Sequence, residues 1–123
     1  MRIVLSAAIA AVLAVTPIQS IAESTLLLDG QTAQIGKAAD GFPCAASREK
    51  WDAISNAIIK KDKYGYAEAT ADAVALKRGA HVRAIDHAGF MYSLIRIRIE
   101  SGSSSGAACW LPSDIKGTFV NIR

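Results

Sequence analysis

The chain has 123 residues, 51% of them hydrophobic and 20% charged, with a formal net charge of +3. That length fits one domain and excludes a full α/β barrel or a pair of nucleotide-binding halves. The apolar fraction excludes a disordered chain, and the mild charge excludes a strongly basic nucleic-acid binder.

Arg2 is followed by the uncharged, apolar run Ile3–Val15, then Pro17 and the small-residue site Ser20-Ile21-Ala22. This layout predicts a secretory signal peptide over residues 1–22, cleaved after Ala22. A membrane anchor needs about 20 apolar residues, more than this run provides. The processed chain is therefore expected in the periplasm or outside the cell, with no stable membrane insertion. Export changes the meaning of Cys44 and Cys109, the only two cysteines. In an oxidising compartment an isolated pair reads as a disulfide. Closing so long a loop stabilises by about 4 kcal/mol in the chain-entropy view.

Residues 23–46 read as an extended N-terminal arm. Thr25-Leu26-Leu27-Leu28 is a candidate short strand closed by Asp29-Gly30, while Gly36, Gly41 and Pro43 argue against any long element. A helix is expected over about 47–61. Ser47 can cap it, and Glu49 faces the positive end of its dipole. Trp51, Ile54 and Ile58 fall on one stripe at i, i+3 and i+7. Lys60, Lys61 and Lys63 suit the far end of the helix, and Gly65 offers a stop.

From Ala73 the period changes to two. Val74 and Leu76, then Val82 and Ala84, alternate with small or polar neighbours, with turns at Gly79 and at Asp86–Gly89. Tyr92–Glu100 is the clearest strand, with Ile95, Ile97 and Ile99 on one face and Arg96 and Arg98 on the other. After the serine-rich turn Ser101–Gly106 come a strand over Ala107–Leu111, ended by Pro112, and a last one over Thr118–Ile122. Five short strands with turns at spacings of about 8–12 residues predict a mostly β chain with a small antiparallel barrel.

Three segments carry a resemblance: Ala73–Asp86, Ile95–Ile99, and Gly106-Ala107-Ala108-Cys109-Trp110-Leu111-Pro112. They resemble the bacterial SH3-like (SH3b-type) fold, with its G-x-x-V-x-V strand pair, its alternating V-R-V strand and its G-W-V-P ending. Cys109 stands where that ending has glycine. The resemblance covers residues 64–123 and implies a five-stranded SH3-like barrel behind one helix, together forming a domain over 47–123. It further implies binding, by loops and aromatics on one side of the barrel. Trp110 and Pro112 match the W-x-P piece. Tyr92 and Tyr66 add rings, since aromatics supply large contact area at low entropic cost. Tyr64 is a further candidate ring, and the first long loop offers Asp86 and His87.

Catalytic alternatives are thin. A Cys/His peptidase would need a free thiol from Cys44 or Cys109 beside His81 or His87, and a bridge removes both thiols. Two histidines are too few for a convincing zinc site, and no phosphate-binding glycine loop is present. Arg83, Arg96 and Arg98 form a basic stripe, the solvated face of a half-buried strand. The expectation is a non-catalytic exported module that recognises a peptide, a protein or a cell-wall component without metal or cofactor. The alternative is an inhibitor or immunity-type protein that blocks a partner enzyme.

Overall fold

The computed structural model describes residues 27–123. The expected signal peptide lies outside them. In chain order the elements are β1 (Thr32–Ile35), a 3₁₀ turn (Lys37–Ala39), β2 (Pro43–Cys44), α1 (Arg48–Ile59), α2 (Lys63–Ala69), β3 (Val74–Ala75) and β4 (His81–Ala88). A second 3₁₀ turn (Phe90–Tyr92) precedes β5 (Leu94–Ile99), β6 (Ala108–Pro112) and β7 (Phe119–Val120). The fold is mostly β. Five strands form an antiparallel sheet in the order β6-β5-β4-β1-β7, curled into a half-barrel, and β2-β3 form a separate ribbon.

The inner face of the half-barrel holds the core. Ile95, Ile97 and Ile99 point into it from β5, while Arg96 and Arg98 lie on the outside, as the strict alternation requires. Val82 and Ala84 join from β4, Leu111 from β6, Ile35 from β1 and Phe119 from β7. Leu27 and Leu76 close the ends. Cys44 and Cys109 form a disulfide inside this core, with Cα atoms 5.4 Å apart. The bond ties the β2-β3 ribbon to β6. One residue on, Ala45 and Trp110 exchange both backbone hydrogen bonds, at 2.8 and 2.7 Å, so the outer edge of β6 is partly covered.

Several expectations need correction. Residues 23–46 were expected as an extended arm, yet within them Thr32–Ile35 form β1, paired to β4 on one side and β7 on the other. Leu28 lies outside any strand. The helix expected over 47–61 is α1 (Arg48–Ile59), but a second helix, α2 (Lys63–Ala69), follows it unannounced, and both fall between β1 and β4 in the chain instead of ahead of the whole sheet. Ser47 does cap α1, its hydroxyl accepting from the Lys50 N–H at 3.1 Å. The first helix stops because Lys61 turns left-handed, at φ 55°. Asp62 then caps α2 by accepting from the Gly65 N–H at 3.0 Å. Gly65 is thus no stop: a Cβ there would collide with the Asp62 carboxylate, so glycine lets the cap form. The stripe of α1 also shifts. Ile54 and Ala57 are buried, but Ile58 is exposed.

The turn expected at Asp86–Gly89 lies three residues later. β4 continues to Ala88, and the register slips between Ala84 and Asp86. This bulge adds a residue and breaks the period of two, which is why the sequence pattern reads as a strand end there.

Candidate binding site

β4 and β5 are joined by Gly89-Phe90-Met91-Tyr92-Ser93. Gly89 has φ 81° and ψ 173°, a conformation that side chains disfavour, and a Cβ would sit 2.5 Å from the Ser93 hydroxyl. The next three residues are apolar and project into solvent: Phe90 is 85% exposed, Met91 83% and Tyr92 64%. Met91 and Tyr92 adopt left-handed backbone at φ 53° and 57°. Each such residue costs of order 1–3 kcal/mol and persists only where its surroundings hold it. Here they do. The Tyr92 N–H donates to Gly89 O at 3.2 Å and the Ser93 N–H to Phe90 O at 3.1 Å. From the exit of β6, the Ser113 N–H donates to Ser93 O at 2.9 Å, and the Ser113 hydroxyl donates to Tyr92 O. Phe90, Met91 and Tyr92 are thus held outward, the last two on a left-handed backbone that Ser113 tethers.

Beside the loop lies a concave site of about 450 Å³ lined by Leu28, Asp29, Asp86, His87 and Tyr92. The His87 side chain is nine-tenths buried, and its Nδ1 lies 2.7 Å from Asp29 Oδ1. A carboxylate only accepts, so Nδ1 carries the hydrogen and donates. Nε2 is buried without a hydrogen-bond partner among the described residues. The Tyr92 ring stands 5.5 Å from the imidazole, tilted by 60°. Asp29 therefore orients the ring as it would orient a general base, but no described hydroxyl or thiol is bonded to Nε2. Both cysteines are in the disulfide, so neither His81 nor His87 faces a thiol. Among the described residues no group of three or more His, Cys, Asp or Glu is placed to hold a metal.

The sequence-derived candidates separate. Tyr92 belongs to the loop. Pro112 is half-buried, opposite Leu94 and next to the Ser113 that tethers Tyr92. Trp110 is only 8% exposed. It lies on the outer side of β6, but Arg48 of α1 sits over its ring at 5.9 Å and Ala45 flanks its backbone, so it packs the helices onto the sheet. Tyr66 is exposed on α2, in the helical hairpin. Pro112 does end its strand, as its missing N–H dictates. Phe90, Met91, Leu28 and the Asp29–His87 pair went unrecognised in the sequence. The signal was present as Gly-Phe-Met-Tyr-Ser between two strands, a run that reads equally well as the lead into β5.

The basic stripe is partly neutralised. Arg83 and Arg98 face each other across β4 and β5, an unfavourable like-charge pair by itself. Glu100 Oε2 accepts from both, from Arg98 at 3.0 Å and Arg83 at 3.1 Å. The Arg98 hydrogen bond first, then that of Arg83, holds the Glu100 carboxyl below its ordinary value.

Comparison with protein-family models, with curated proteins and with solved structures finds no match. The site is therefore read from its own chemistry.

Proposed function

We propose that this is an exported, non-catalytic binding module of SH3-like type that engages a peptide, a protein or a cell-wall component through Phe90, Met91 and Tyr92. The observation that carries the reading is the exposure of those three side chains, with Met91 and Tyr92 on a left-handed backbone tethered by Ser113. Contact surfaces draw affinity from a few large apolar and aromatic anchors, and this loop supplies three in sequence. The half-barrel sheet is compatible with an SH3-like arrangement. The buried disulfide is consistent with folding in an oxidising compartment. Tyr92 and Pro112 remain in the proposed site, Trp110 supports it only by packing, and Tyr66 takes no part. The projecting loop also favours a second reading, an inhibitor that inserts the loop into the cleft of a partner enzyme.

The test places a photo-crosslinking side chain at position 90, with position 98 on the outer sheet face as control. It is paired with retention of Phe90→Ser and Met91→Ser variants on purified cell-wall sacculi. A wall binder is retained through the loop and loses retention in both variants. An inhibitor gives one protein adduct of defined mass at position 90. No adduct at 90, together with unchanged retention of the variants, overturns both readings.

A further inference from the structure

The tip of the helical hairpin carries a second unusual surface. Ile58 is 56% exposed, Ile59 77% and Tyr64 91%. Between and beside them stand Lys60, Lys61 and Lys63, and none of these lysines forms an ion pair within 4.0 Å among the described residues. The acid at this tip, Asp62, is turned onto the Gly65 N–H as the cap of α2. Cations near the end of α1 suit its dipole, but that does not explain three large apolar side chains left in water beside them. Positions 53, 56 and 57 of α1 line the groove facing α2, with Lys60 just past the helix end at its rim, so Ile58 and Ile59 lie off the packed face of the hairpin.

We propose that this tip is a peripheral contact for an anionic phospholipid surface. Charge complementarity and chemistry select that occupant. Lysines meet anionic headgroups, while isoleucines and a tyrosine enter the apolar boundary just below them, within about 5–10 Å. An anionic wall polymer would match the lysines but offers no apolar layer for Ile58 and Ile59. An apolar peptide would match the isoleucines but not the lysines. The contact lies on the surface and needs no spanning segment; no described helix is long and apolar enough to cross a membrane. None of these residues belongs to the 89–93 loop, so the two surfaces stand or fall separately.

The experiment uses the chain in the form its host accumulates, identical beyond the substituted positions in every sample. It measures co-sedimentation with vesicles of phosphatidylglycerol and phosphatidylcholine, and with phosphatidylcholine alone. Binding should require the anionic lipid and weaken as salt rises. The variant Lys60→Gln/Lys61→Gln/Lys63→Gln should partition roughly a hundredfold less, from about fivefold per lysine. The variant Ile58→Ser/Ile59→Ser should lose at least about tenfold while keeping the salt dependence. Phe90→Ser should bind vesicles as the parent does. The proposal is overturned if the parent ignores anionic vesicles or binds both kinds equally. It is equally overturned if either hairpin variant partitions like the parent, or if Phe90→Ser removes the binding.

Discussion

The half-barrel and the helical hairpin are built to different standards. The half-barrel buries branched aliphatic side chains from four strands and Phe119 from the fifth around a disulfide, and Ile95, Ile97, Val82 and Cys109 are completely enclosed. The hairpin has a small core of Ala45, Ile54 and Ala69, with Trp51 half-buried against it. Its link to the rest runs through a few contacts: Trp51 on Phe42 with ring centres 5.9 Å apart, Arg48 over Trp110, and the Ala45 bridge. Stability follows enclosed apolar area, so it resides in the half-barrel, and the hairpin borrows it. The proposed contact surfaces lie where that enclosure is least complete, at one loop and one helical tip.

The largest blow to the half-barrel should be loss of its crosslink. Cys109→Ser removes the bridge and buries a hydroxyl, and should cost about 4–5 kcal/mol in chemical denaturation. Ile97→Ala should follow at about 3 kcal/mol, since Ile97 is fully enclosed and its truncation leaves a cavity in the core. Either change should lower the protection of the whole molecule against amide exchange. Ile54→Ala should cost about 2 kcal/mol and be felt differently. Amides of α1 and α2 should exchange faster while those of β4 and β5 keep their protection, and uniform acceleration would show that the two regions are one cooperative unit.

Smaller changes sharpen the same contrast. Ser47→Ala removes the cap of α1 and should cost about 1 kcal/mol, confined to the hairpin in exchange measurements. The smallest effect is electrostatic. The folded Glu100 carboxyl ionises below its ordinary value, so its two arginine bonds support the sheet above the unfolded carboxylate range. That support is lost as pH falls from the unfolded carboxylate range through the lowered value. A carboxyl NMR titration should place its midpoint below the ordinary value of about 4.3, and Arg98→Gln should move it upward.

What could be read from the sequence follows the same division. The face of β5 was legible because Ile95, Ile97 and Ile99 alternate strictly with Arg96 and Arg98, and a pleated strand turns that spacing directly into two faces. The start of α1 was legible from Ser47, a local signal. β1 was not, because Thr-Ala-Gln-Ile holds two apolar residues, and its place depends on β4 and β7, far away in sequence. α2 was hidden by Gly65, whose use as the partner of a cap only the three-dimensional turn reveals. At the site, Tyr92 was found for its ring alone. The exposure of Phe90 and Met91 depends on the left-handed turn through Gly89, Met91 and Tyr92, and the burial of Trp110 depends on which helix covers it. Neither is written in residue type.

The pairing of Cys44 with Val74 across β2 and β3 has one more consequence. The chain leaves the half-barrel and returns to it at neighbouring positions, so residues 46–73 form an excursion whose ends already meet. Replacing such a cassette asks little of the frame, because the cost of closing a loop varies only slowly with its length. The half-barrel can therefore serve as a chassis: exchanging the hairpin for a short turn, or for a different helical pair, should change what the protein touches without rewriting how its sheet folds.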